Sequence, residues 1–395
     1  MNTRIPTQND RQTILSFPEC GPEAERYWLW LCSCPKMYPY IITPLLRYFG
    51  TPKEICRAPV RELLQWKKLT DDGSTAWVDA LVGYRETTSV PEAEALLQAR
   101  GIRFVSRYNP EFPQKLRDLI DCPYGLFFRG SLPDSRTGAI AIVGARRCSN
   151  YGQQMAAAIS KALTQEGYQI ISGMALGVDG TAQAGCLSAG GRSFAVLGCG
   201  VDVCYPKEHH ALYRSLQKDG GVISEYPPGT APLKGHFPNR NRLISGLSDS
   251  VVVIEARSQS GSLITADLAL DQGKDVYAVP GRYNDPLSYG CNRLIEQGAG
   301  IVLSTESLLE NLSLTLGKAR PSPGRGRKSV PLPAGMKAEE QRVYEELDFD
   351  ARSIDEIAAA SGLTLLQTMT ALIGLQLKHC AVEVSKNCFA LALVS

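Results

Sequence analysis

The sequence predicts an α/β protein: a Rossmann-like, doubly wound, mostly parallel sheet between a helical N-terminal domain and a C-terminal winged-helix domain. Three observations carry this. Between 139 and 304, short and nearly continuous apolar runs alternate with amphipathic segments, the texture of parallel strands covered on both faces. Upstream, apolar residues recur at helical spacing. Downstream, two capped helices precede a pair of short strands, the order of a winged helix. A chain of 395 residues has room for two or three such units.

In chain order, AERYWLWL (24–31), TPLLRYFG (43–50) and PVRELLQWKKL (59–69) space their apolar residues as amphipathic helices do. Ser89 and Glu92 form a capping box ahead of EALLQARG, and Gly101 supplies a stop. Residues 1–130 therefore read as a helical region of SAM-like or helix-hairpin-helix type, either a nucleic-acid backbone binder or a plain spacer. Strands are expected at AIAIVGA (139–145), YQIISG (168–173), SFAVLGCG (193–200), GVISEY (221–226), SVVVIEA (250–256), DVYAVPG (275–281) and GIVLS (300–304). Helices at 151–167 and 181–191 separate the first of them, giving a Rossmann-like unit over 131–316. Residues 317–336 hold five Lys/Arg and no acid among prolines and glycines, a basic flexible linker. In 337–395, Ser353 with Glu356 and Thr364 with Gln367 cap successive helices, Gly362 stops the first, and Lys386-Asn387 turns a hairpin.

Composition excludes several classes. Forty-two Lys+Arg against 40 Asp+Glu leave a formal charge of +2, neither a polybasic tail nor an acidic solvating chain. Hydrophobic content of 44% and charged content of 21% are those of an ordinary globular protein. No apolar run reaches the length of a membrane span, and the N-terminus lacks a signal-peptide core, so a cytoplasmic protein without membrane contact is expected. The 12 Cys are scattered, with only Cys32 and Cys34 close together, so no metal is expected. The first strand is followed by GARRCSNYG rather than G-x-G-x-x-G. There is no P-loop, no G-x-S-x-G and no H-E-x-x-H. Four His leave little general-base chemistry. No cofactor and no catalytic residues are predicted.

In doubly wound sheets, ligands bind beyond the carboxyl ends of the strands, so the loops there matter most. Gly144-Ala145-Arg146-Arg147-Cys148-Ser149 leads into a helix whose N-terminus, with two guanidinium forks, suits a phosphate. An exposed basic turn is the alternative. PPGTAPLKGHFPNRNRLISGLS (227–248) brings Lys234, Arg240, Asn241 and Arg242 around Phe237 with no acid. Cations interleaved with an aromatic ring are what a single strand requires; a core Phe beside solvated charges is the alternative. Ser260-Gly261-Ser262 opens a helix either as a phosphate nest or as a simple cap. Asp179 and Glu255 are read as a capping Asp and a buried strand-end Glu ahead of catalytic carboxylates.

Taken in order, VGARRCSNYG, SGMALGVDGTAQ, AVLGCGVDVCYP, the long segment from VISEYPPG to YAVPG, and GCNRLIEQGA resemble the DNA-processing protein A (DprA/Smf) family. The ordered series covers about 165 residues, and the flanking regions match the family's three-part form. The resemblance implies single-stranded DNA as ligand, RecA recombinase as partner, and a homodimer through the Rossmann-like domain. It also implies a non-enzymatic role in natural transformation and recombination. It places DNA contacts on Arg146, with Arg147 sharing, on Lys234 and Phe237, and on Arg240, Asn241 and Arg242. Gln183 stands where many members carry His. A nucleotide phosphoribohydrolase on a related sheet is the competing enzyme class, but EARSQSGSLITAD lacks that class's glycine cluster and glutamate. The helix expected over 364–377 has no Lys or Arg, and 339–356 holds eight acids. The last unit is therefore expected to contact protein rather than read a major groove.

Overall fold

The structure is a computed structural model that describes residues 21–70, 76–315, 336–347 and 351–392. Residues 317–335 of the expected linker lie outside it.

The central sheet has nine strands, in the order β1-β2-β6-β5-β4-β3-β7-β8-β9. They are β1 Arg103–Ser106, β2 Gly125–Gly130, β3 Ala139–Gly144, β4 Gln169–Ser172, β5 Ser193–Val196, β6 Gly220–Ser224, β7 Ser250–Ile254, β8 Asp275–Ala278 and β9 Gly300–Ile301. Strands β3 to β9 pair in parallel. β3 pairs with β4 on one side and β7 on the other, so the winding reverses at β3 and opens a crevice there. β1 and β2 are antiparallel additions hydrogen-bonded onto β6. Residues 103–130, grouped by sequence with the N-terminal helices, thus extend the sheet itself.

Helices α1 Pro22–Ser33, α2 Pro39–Phe49, α3 Pro52–Arg57, α4 Val60–Thr70, α5 Ala76–Thr87 and α6 Val90–Ala99 build the N-terminal layer, and α7 Gln114–Arg117 lies between β1 and β2. Ser89 and Glu92 form the reciprocal capping box. The helical layer is not an appendage. Trp28, Trp30, Ile42 and Leu45 share one buried cluster with Phe127, Leu197 and Val222 of the sheet. Fully buried large side chains of this kind contribute on the order of 2 kcal/mol each.

Around the parallel strands run α8 Asn150–Gln165, α9 Val178–Ser188, α10 His210–Lys218, α11 His236–Leu247, α12 Gly261–Asp271, α13 Tyr289–Glu296 and α14 Thr305–Thr315. One buried cluster joins Ile140, Ile142 and Val252 to Ile159, Leu163, Leu308 and Leu312 of α8 and α14. On the other, Ala141, Val143 and Val251 pack on Leu243, Ala266 and Leu294 of α11, α12 and α13. Alternate residues of β3 thus enter different cores, the double coverage that makes these strands apolar throughout.

The last unit comprises α15 Ala338–Glu346, α16 Ile354–Ser361 and α17 Leu365–Leu377 with β10 Arg352–Ser353, β11 Ala381–Ser385 and β12 Cys388–Leu391, in sheet order β10-β12-β11. Both predicted capping boxes are present, and Gly362 adopts the left-handed conformation (φ 66°) that ends α16. Asn387 (φ 60°) turns the hairpin. No single described helix is long and apolar enough to cross a membrane.

Candidate nucleic-acid interface

An open cleft of about 900 Å³ lies at the point where the winding reverses. Its walls are the loop after β3, the first turn of α11, and the loop from β7 into α12. Gly144 is the last residue of β3, and a β-carbon there would overlap the carbonyl oxygen of Ile254. The chain then turns outward, leaving Arg146 and Arg147 exposed. Lys234, also exposed, and Phe237, half-buried, line the same cleft. The Phe237 ring lies 5.4 Å from the Arg146 guanidinium carbon and 5.5 Å from the Tyr205 ring. A cation over the face of a ring stiffens both groups at about 0.5–1 kcal/mol.

Arg240 is 4% exposed and forms the floor. Its guanidinium donates to the carbonyls of Val196 and Gly173, the latter at 2.9 Å. Gly173 must lack a side chain, since a β-carbon would run into that guanidinium. Burial lowers the Arg240 pKa to about 10, opposed by Asp179, so it stays cationic at neutral pH. The Asp179 carboxylate accepts from the Gly173 amide at 3.1 Å. Burial raises its pKa, and Arg240 pulls it back. Asp179 is the one acid among the lining residues, against the cations of Arg146, Arg147, Lys234, Arg240 and Arg257. The potential in the cleft is therefore positive and focused by its walls.

Two helix N-termini meet this region, and they are finished differently. Ser260 caps α12, accepting from the Ser262 amide at 3.4 Å, and the two hydroxyls lie 2.7 Å apart. Gly261 is exposed, with no atom within reach of an added β-carbon. Asn241 ties this end to α11 by donating to the Gly261 carbonyl at 3.1 Å. At α8, Ser149 caps the Gly152 amide at 3.1 Å. Its own amide donates to Glu255 at 2.8 Å, and its hydroxyl donates to the same carboxylate. Glu255 is 4% exposed and sits in the left-handed region (φ 51°) at the end of β7. Gly152 leaves room for that carboxylate.

Of the predicted site residues, Gly144, Arg146, Arg147, Lys234, Phe237, Arg240, Asn241, Ser260, Gly261 and Ser262 converge on the cleft. Two do not. Ser149 is absorbed by Glu255 and by capping, so the α8 terminus already holds an anion of the protein's own. Arg242 is 8% exposed and pairs with Glu225 and, at 2.9 Å, with Asp121. Positions two apart on a helix point to opposite sides, so the turn that aims Arg240 at the cleft aims Arg242 away. Sequence reasoning did not name Tyr205 and gave Arg257 a place in the third loop but no contact role; both line the cleft. Their signals were an aromatic before Pro206 in the loop after β5, and an Arg directly after VVVIEA. Among the described residues, no cluster of His, Cys, Asp and Glu is placed to hold a metal ion.

Fold and site define a Rossmann-like binding protein whose switch-point cleft is cationic and lacks the dinucleotide fingerprint. The chain belongs to the family described as DNA recombination-mediator protein A, whose model matches residues 103–313. The DprA winged helix domain model matches 327–384. Over 198 residues it is 43% identical to DNA processing protein DprA of Streptococcus pneumoniae, half of this chain and 70% of that one. Over 274 residues it is 37% identical to Protein Smf of Escherichia coli, 67% of this chain and 71% of that one. The X-ray structure of DNA processing protein A from Streptococcus pneumoniae matches with a TM-score of 0.56 at 30% identity, covering 74% of this chain and 98% of that one.

Proposed function

We propose that this protein binds single-stranded DNA in the switch-point cleft, without chemistry on it, and delivers the strand to RecA recombinase during natural transformation or recombination. It works in the cytoplasm as a homodimer joined through the Rossmann-like domain. The observation that carries this reading is the half-buried Phe237 ring under the Arg146 guanidinium, in one cleft with exposed Arg147 and Lys234 and a single, buried carboxylate. The cations neutralise phosphates, and the ring offers a face to an unpaired base. A duplex keeps its bases stacked and gives that ring nothing to hold. The amides at the start of α12 supply donors for one more phosphate, and Arg240 holds a positive field beneath them. Asp179 is committed to the Gly173 amide and to Arg240, a structural use rather than proton transfer.

The winged helix serves protein contact in this reading. Helix α17 carries no Lys or Arg and exposes Leu366, Met369, Ile373 and Leu377, a face unsuited to a phosphate backbone.

The test is fluorescence anisotropy of a labelled oligo-dT, with a duplex control, across a salt series. Single-strand affinity should fall by about 0.7 log units per phosphate contacted for each tenfold rise in salt. Arg146→Ala and Lys234→Ala should each reduce that slope by about one contact. Equal affinity for duplex and single strand would sink the proposal. Release of free base from nucleoside monophosphates would move the protein to the phosphoribohydrolase class.

A further inference from the structure

The loop after β5 carries one cleft residue, Tyr205, whose ring tilts against Phe237. Beyond it the chain makes a tight helical turn over Lys207–His209 and enters α10. Along this segment Lys207, His210, Arg214 and Lys218 are all exposed. Their spacing of three, four and four residues sets them one above the next on a single helix face. Tyr213 and Leu216 lie on the other side of α10, buried in the core shared with the N-terminal layer. That anchoring keeps the stripe turned to solvent over a length of about 16 Å.

Nothing in the protein neutralises it. Among the described residues, none of these four side chains has an ion-pair or hydrogen-bond partner. The acids close by in sequence are turned elsewhere. Glu208 and Asp219 each follow a stripe residue directly, and consecutive helix positions do not share a face. Asp202 is taken up by Arg100 at 2.9 Å and by the Gly229 amide at 2.7 Å. Arg214 and Lys218 are like charges four residues apart, a repulsion within the helix that a phosphate backbone laid along the face would relieve. A cationic row continuous with a cationic cleft is the pattern that tracks the backbone of a single strand.

Building on the single-strand reading of the cleft, we propose that the exposed face of α10 is a track for the strand outside the cleft. A strand leaving past Tyr205 lays successive phosphates beside Lys207, Arg214 and Lys218, with the His210 ring between them. The ligand is the sugar-phosphate backbone. The one aromatic residue of α10 besides His210, Tyr213, is buried, so the track offers no stacking platform and reads no base.

The full chain is titrated across a salt series with a short and a long labelled oligo-dT, of about six and about eighteen nucleotides, spanning the range of a single-strand site. Arg214→Gln combined with Lys218→Gln should reduce the long-strand salt slope by about 1.4, the loss of two phosphate contacts, and leave the short-strand slope unchanged. Arg214→Lys combined with Lys218→Arg, which keeps both charges, should preserve the long-strand slope. A long strand made abasic outside a run of six thymines should bind the wild-type chain as the intact strand does. Arg61→Gln, which removes an exposed cation of α4, should change neither length. An unchanged long-strand slope in the double Gln variant overturns the proposal. So does an equal fall on both lengths, or a fall in Arg61→Gln as large per charge, either of which would assign the effect to the overall field of the protein. A loss on the abasic strand would show base contacts and overturn the backbone track. Failure of the wild-type chain to bind either length would instead remove the cleft reading, and the track with it.

Discussion

The starts of α8 and α12 are built from similar material and do opposite things. Each follows a β-strand of the same switch point, each is capped by a serine, and each has a glycine in its first turn. At α8 the electropositive end is filled by Glu255, a carboxylate from the neighbouring strand end. At α12 the end stays open to the cleft, with Gly261 bare. One terminus has been converted into an internal brace that fixes the loop carrying Arg146 and Arg147. The other remains available for an incoming anion. A helix N-terminus next to a binding loop is therefore not a phosphate site until its own neighbours have been counted.

Removing the brace should give the largest effect. Glu255→Ala leaves the Ser149 amide and hydroxyl without their acceptor and should cost about 2–3 kcal/mol, read as a lowered midpoint in urea unfolding. A loss below about 0.5 kcal/mol would mean that the carboxylate does not hold the α8 start. Filling the open terminus should do the reverse for stability and harm binding. Gly261→Asp has room for its side chain and should add up to about 1 kcal/mol by meeting the helix dipole. It should also weaken oligo-dT about tenfold by placing a carboxylate where the proposed binding puts a phosphate. If both properties moved together, the α12 start would be structural, like that of α8.

The start of α11 is the intermediate case, and its effect should be the smallest. Burial holds the His236 imidazole below the usual histidine range, while its bond with the Gly198 carbonyl works the other way. A depressed folded-state value means stability is fully present above the ordinary histidine value and is lost as pH falls through the folded one. Between pH 7 and pH 5 this group should therefore lower stability as the imidazole takes its proton more readily in the unfolded chain than in the folded one. His236→Phe should flatten that part of the profile in denaturant titrations at several pH values, and an unchanged profile would assign the dependence elsewhere.

The parallel core was legible because strands buried on both faces leave runs such as AIAIVGA and SVVVIEA that nothing else explains. The site was mostly legible because its residues follow those strands. What could not be read was direction. Arg240 and Arg242 look equivalent in NRNR, and only the helix, with Glu225 and Asp121 placed beside one of them, separates cleft floor from ion pair. The role of Glu255 was hidden for a similar reason: its partner Ser149 is 106 positions away. β1 and β2 escaped because they are short, antiparallel and separated by α7, so their membership of the sheet rests on pairing with β6, a contact far along the chain.

That pairing has a consequence for anyone who divides this protein. A cut at 131 follows the change in sequence texture, yet it strips β2 from β6 along Phe127–Gly130 and Gly221–Ser224. The fragment left behind would present a raw sheet margin of unpaired amides and carbonyls, a template for other chains to add to. It would also bare the sheet face that Trp30 and its neighbours cover. Such a piece is set up to precipitate, whereas one that begins ahead of α1 keeps β2 paired on β6 and that face covered.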